Sequence, residues 1–121
     1  MTEEELKQRT KAFALRVFKF VLTLEQNKAT NVISYQILKS ASSVAANYRS
    51  VCRGKSDDDF LNKLKITDEE ADETLFWLEF INELGLKCNR TELMLLIKEA
   101  NELVSIFSAS IRTIKSKNPK S

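Results

Sequence analysis

The chain has 121 residues, of which 43% are hydrophobic and 30% charged, enough for one domain around one core and too apolar for a disordered polymer. It contains no histidine, which excludes Ser-His-Asp and Cys-His nucleophile pairs and the Glu-x-x-His sites that hold metals in helical bundles. The net charge of +2 conceals a segregation: residues 1–56 carry +6, residues 57–111 carry −8 and residues 112–121 carry +4. Two readings follow. Either oppositely charged helical faces neutralise each other within or between subunits, or a basic surface takes nucleic acid.

Two glycines and one proline leave few turn positions and favour a few long helices. The first predicted helix spans about residues 2–27. Thr2 is placed to cap it, and Glu3, Glu4 and Glu5 complement the positive end of the helix dipole. Leu6, Phe13, Val17, Phe20, Val21 and Leu24 recur at helical spacing, with Leu15 and Phe18 widening the stripe. The second helix is predicted over 32–53, capped by Thr30 or Asn31. Its apolar line is Ile33, Ile37, Ala41, Val44 and Tyr48, and Gly54 is placed to end it. Ser43 and Asn47 lie beside a seam of small residues and are expected to form an interhelical polar contact, because a buried amide must be paired.

The third helix is predicted over 57–84. Ser56 and Asp59 have capping-box spacing, and Asp57, Asp58 and Asp59 suit its N-terminus. Between Leu75 and Leu84 the apolar band becomes too broad for one core, and Phe76, Trp77 and Phe80 are expected at a subunit interface. Gly85 closes the helix with Leu86 in Schellman position. The fourth helix is predicted over 90–115, capped by Asn89 with Glu92 at N3, and a basic flexible tail is expected over 115–121. Four such helices on short links predict an all-α, up-down-up-down antiparallel four-helix bundle over residues 1–114. That topology separates Cys52 from Cys88 by roughly a helix length, beyond the ~7 Å Cα limit of a disulfide.

Motif chemistry is sparse. No Gly-rich phosphate loop is present. The acids Asp68, Glu69, Glu70, Asp72 and Glu73 have no second cluster to complete a metal site, and Lys63 and Lys65 are spaced to pair with Glu69 or Glu70. Arg49 and Arg53 share a helix face, and Lys55 follows in the turn. Such a row grips phosphates or, equally, satisfies helix-end carbonyls. With Arg112, Lys115, Lys117 and Lys120 near the C-terminus these are the candidate nucleic-acid contacts. No catalytic, metal or cofactor residue is expected, and the chain is predicted not to be an enzyme and to have no small-molecule substrate. The acidic start without an early apolar run, and the lack of an apolar stretch near ~20 residues, predict a cytoplasmic protein without a membrane partner.

Residues 36–85 carry a specific pattern: Ser42-Ser43-Val44-Ala45-Ala46-Asn47-Tyr48-Arg49, then Lys55-Ser56 with Asp59-Phe60, then Lys63-Leu64-Lys65-Ile66, Glu70-Ala71-Asp72-Glu73-Thr74 and Trp77-Leu78-Glu79. It resembles the small bacterial four-helix bundle family named for a reading frame in the intervening sequence of large-subunit ribosomal RNA. The chain departs from the family in having Ser50 where Glu is usual, and Thr67-Asp68-Glu69 where apolar residues are common. The resemblance implies a bundle that assembles into a homo-oligomeric ring, commonly a pentamer, with no known enzymatic activity. It also implies similarity in shape to proteins that accompany diversity-generating retroelements and bind nucleic acid through a basic surface. An old ribosomal-protein label attaches to the family. The expected partners are therefore further copies of the chain and RNA or DNA. The competing expectation is a protein-interaction scaffold whose charge asymmetry serves assembly alone.

Overall fold

The computed structural model describes residues 1–117 and places them in four helices: α1 Glu3–Val21, α2 Lys28–Val51, α3 Asp57–Leu84 and α4 Arg90–Lys117. The described residues contain no strand, as the breaker-poor sequence requires. Local chemistry sets the boundaries. Thr2 Oγ1 accepts from the Glu5 amide at 3.0 Å, and Asn89 Oδ1 accepts from the Glu92 amide at 3.0 Å. Ser56 Oγ accepts from the Asp59 amide at 3.1 Å. Each satisfies an amide that the first helical turn leaves without a partner.

Two boundaries differ from the sequence expectation. α1 ends at Val21 rather than near residue 27, because the Thr23 hydroxyl and amide both donate to the Phe20 carbonyl and close a tight turn. α2 begins at Lys28 rather than Val32, and its cap is Asn27, not Thr30 or Asn31. Thr30 is the third helical residue of a reciprocal capping box. Its hydroxyl accepts from the Asn27 amide, and Asn27 Oδ1 accepts from the Thr30 amide, both at 2.9 Å. Gly54 does not take the left-handed cap conformation; among the described residues only Gly85 does, at φ 72°. There the Leu86 amide donates to the Ile81 carbonyl and the Gly85 amide to the Asn82 carbonyl, the Schellman pair that stops α3.

The helices pack in a closed square in which α1 touches α2 and α4, and α3 touches α2 and α4. All four contribute to a single core. Phe13, Val17, Ile37, Val44, Leu64, Leu78, Leu93, Leu96, Leu103 and Phe107 are among its fully enclosed side chains. Tyr48 stacks on Phe107 with ring centroids 5.8 Å apart, and burial pushes its phenol well above the ordinary range. The expected interhelical contact of Ser43 and Asn47 is corrected: Asn47 Nδ2 donates to the Ser43 carbonyl one turn back in α2. A polar bond that does cross between α3 and α2 in the core is Thr74 Oγ1 to Ser40 Oγ at 2.9 Å, fully buried. Thr67 also lies in the core, its hydroxyl returned to the Lys63 carbonyl at 2.8 Å. This is how a polar residue occupies a buried site on the inner face of α3.

Two seams carry charge. On the α1–α4 seam, Arg9 makes a two-pronged pair with Glu99, Nε to Oε2 and Nη2 to Oε1 both at 2.7 Å, and Arg16 Nη2 reaches Glu92 Oε1 at 2.8 Å. As α1 ascends from Arg9 to Arg16, its partners on α4 descend from Glu99 to Glu92. On the α3–α4 seam, Ser108 Oγ donates to Asp68 at 3.5 Å. Burial raises the Asp68 carboxyl above its usual range, and nearby Asp72 adds to the effect. Lys63 pairs with Asp59 rather than with Glu69 or Glu70.

The α1–α4 seam predicts that Arg9→Met and Glu99→Met each lower stability by about 1–3 kcal/mol in urea denaturation, since each strands a half-buried charge. The double variant is expected to recover most of that loss. For Asp68, a folded-state pKa above the unfolded value means that the native protein holds the proton more tightly. Its charged form therefore costs stability as pH rises through the carboxylate range. Asp68→Asn is expected to raise the urea midpoint at pH 7. That advantage should vanish as pH falls below the unfolded Asp value of about 3.9.

Candidate nucleic-acid interface

α2 contains no acidic residue from Lys28 to Val51. It therefore offers nothing to neutralise cations on the flank of α1 that packs against it. Between α1 and α2 runs an open groove of about 790 Å³. Lys7 and Lys11 line it from the first half of α1, and Arg49 and Arg53 from the end of α2 and the turn beyond. Lys7 is paired with Glu4 at 3.0 Å, and that pairing holds the exposed Glu4 carboxyl below its usual range. Lys11, Arg49 and Arg53 form no ion pair among the described residues. Lys7 and Lys11 are one helical turn apart on α1, and Arg49 on the last turn of α2 is followed by Arg53 just past its end.

Further along, the groove is apolar, lined by Ala14, Leu15, Phe18, Ala45 and Ala46. Leu15 and Phe18 do not widen the core stripe as their spacing suggested. They remain 53% and 37% exposed, because their positions turn toward α2 above its small residues. Cys52 lines the cationic end. Burial pushes its thiol up, with the charges of Glu3 and, less so, Glu4 adding to that, and it forms no disulfide. Cys88 is likewise free.

The other predicted contacts are dispersed. Lys55 sits in the turn before α3, where its amide donates to Asp59 Oδ2 at 3.3 Å, and it does not line the groove. Arg112, Lys115 and Lys117 lie on the last turns of α4, which continues to Lys117 where a flexible tail was expected. They do not line the groove either. Lys120 is outside the described residues. Lys7 and Lys11 were missed in the sequence; their signal was one-turn spacing on a helix whose neighbour is acid-free.

The predicted interface residues form an outward cluster on α3. Phe76 and Trp77 pack edge to face with centroids 4.9 Å apart, and Phe80 lies 5.5 Å from Trp77. Phe76 and Phe80 are 52% and 41% exposed, whereas Trp77 is half-buried with an indole Nε1 that lacks a hydrogen-bond partner among the described residues. Leu75, Leu78 and Ile81 turn inward to the core, so the broad band divides between two faces. The acidic residues of α3 build no group of three metal-ligating side chains among the described residues. No helix of the described residues is long and apolar enough to cross a membrane.

These features define a class: an all-α four-helix protein with a cationic groove on one side and an aromatic cluster on another helix. Within that class the chain belongs to the 23S rRNA-intervening sequence protein family, whose profile matches residues 2–109. A crystal structure of a protein with unknown function from the S23 ribosomal protein family of Bacteroides thetaiotaomicron is similar. It shares 30% sequence identity over 87% of this chain and 96% of its own, with a TM-score of 0.75. No curated protein matches the chain.

Proposed function

We propose that this protein is a non-enzymatic, up-down-up-down bundle that assembles with copies of itself in the cytoplasm and binds RNA or DNA through the α1–α2 groove. The observation that carries this reading is the set of cations Lys11, Arg49 and Arg53, left without ion pairs beside an acid-free helix. Within the subunit they are not neutralised as Arg9 and Arg16 are on the α1–α4 seam, which supports an external anion as their partner. Phosphates supply the missing negative charge, and release of their counterions drives binding. The absence of histidine and of a Gly-rich loop supports a binding role over a catalytic one.

The scaffold reading retains one specific observation, the exposed Phe76–Trp77–Phe80 cluster. It supports self-assembly through α3, and the family resemblance favours a pentameric ring. α3 does not line the groove, so assembly through its aromatic cluster leaves the cations open, and several copies can engage one strand with added avidity.

Filter binding across a salt series tests the first half. Affinity is expected to fall steeply with salt. Arg49→Ala/Arg53→Ala should reduce the log–log slope by about 1–2 with helix content unchanged. Absence of binding at low salt by the intact oligomer would leave the scaffold reading standing alone. Light scattering tests the second half. The native protein should give several times the 13.9 kDa chain mass, and Phe76→Asp/Phe80→Asp should shift it toward that mass. A native monomer at high concentration would end the assembly reading.

A further inference from the structure

We infer that the α1–α2 groove selects single-stranded nucleic acid, seating an unpaired base against Leu15 and Phe18 while Lys11, Arg49 and Arg53 hold the adjoining phosphates. The inference rests on the nucleic-acid reading above and adds the class of strand. Its first support is the shape of the surface. The groove is concave, between two helices whose axes pack about 8–10 Å apart, and its apolar part adjoins its cationic part along the same two helices. A duplex presents phosphates outward and keeps its bases paired inside, and its grooves accept a convex protein element such as a helix. It can touch the rim cations but cannot deliver a base to Phe18. An unpaired nucleotide presents a flat apolar face beside a phosphate, the same pairing of chemistries that the groove offers.

The second support is the depth that small residues leave. Ala45 and Ala46 of α2 stand where larger side chains would fill the groove. The Phe18 ring is consequently more than one-third exposed, although its neighbours Val17 and Phe20 are sealed in the core. The third is electrostatic. With no acid on α2, an entering phosphate meets no like charge from that side. Ser42, the hydroxyl lining the groove, already donates to the Leu38 carbonyl at 2.8 Å. Gln8, the amide lining the groove, likewise donates through Nε2 to Glu4 Oε1 at 3.1 Å, so neither neutral polar side chain is set aside for a ribose 2′-hydroxyl and RNA and DNA strands are expected to bind alike.

The test is fluorescence anisotropy on the full chain with a short labelled oligonucleotide, as RNA and as DNA, alone and annealed to its complement at one salt concentration. Single strands are expected to bind about tenfold more tightly than the duplex, the worth of about one stacked base. Phe18→Ala should remove most of that advantage, leaving duplex affinity and the salt slope unchanged because no charge is lost. Ala46→Leu, at an exposed position where folding is not at stake, should obstruct the groove with the same result. Tyr35→Ala removes an exposed aromatic outside the groove and should change neither affinity. Equal or tighter duplex binding, or single-strand binding indifferent to both Phe18→Ala and Ala46→Leu, overturns the inference and leaves the nucleic-acid reading intact. A change in oligomer mass on Phe18→Ala, with no change in strand preference, assigns the groove to a second copy and also overturns it. No binding of any strand overturns both readings together.

Discussion

The paired contacts of Arg9 with Glu99 and Arg16 with Glu92 are the constraint around which the surface of this bundle is arranged. α1 carries more cations than its own acids can balance, and α4 carries acids at matching heights. Packing the two helices together converts a sequence-wide charge imbalance into specific, half-buried, two-pronged contacts. The geometry also sets which cations remain. Arg9 and Arg16 face α4 and are neutralised there. Lys11 projects from the flank of the same helix that meets α2, which carries no acid, while Lys7 beside it is paired within α1 with Glu4. The groove's charge is thus a residue of how the seam was satisfied.

Core packing serves the same end. Phe13, Val17 and Phe20 of α1 lock into a core that also holds Ile37, Ala41 and Val44 of α2, so the two groove-bearing helices are held by apolar contacts rather than by each other's polar groups. The side chains that face outward between them are then free of structural duty. α3 divides its labour differently. Its inner face is sealed by Leu64, Ala71, Leu75 and Leu78; Thr67 returns its hydroxyl to its own helix, and Thr74 is held both by the Glu70 carbonyl of its own helix and by Ser40 of α2. Its outer face keeps an aromatic cluster that nothing in the subunit covers completely. Groove and cluster therefore occupy different elements, and a surface for ligand and a surface for assembly can coexist on one small domain.

Much of this was legible in the chain itself. Period-3.6 apolar spacing, a lack of breakers and capping residues at Thr2, Ser56, Gly85 and Asn89 determined four helices and most of their limits, because those signals act within a turn or two of the backbone. The arrest of α1 was less legible: Thr23 and the Asn27–Thr30 box are short-range devices, but they compete with a longer apolar pattern that runs on to Leu24. The absence of histidine likewise bounded the chemistry without any coordinates. Tertiary structure alone decided which polar residues meet. Asn47 finds a carbonyl in its own helix while Ser40 crosses to Thr74, a difference of helix rotation that spacing cannot resolve. It alone separated Arg9 and Arg16 from Lys7 and Lys11, and turned Leu15 and Phe18 from apparent core into groove lining. The physical reason is that helical periodicity states which residues share a face, whereas the sign, size and height of the residues on the neighbouring helix decide whether that face is buried, neutralised or left open to a ligand.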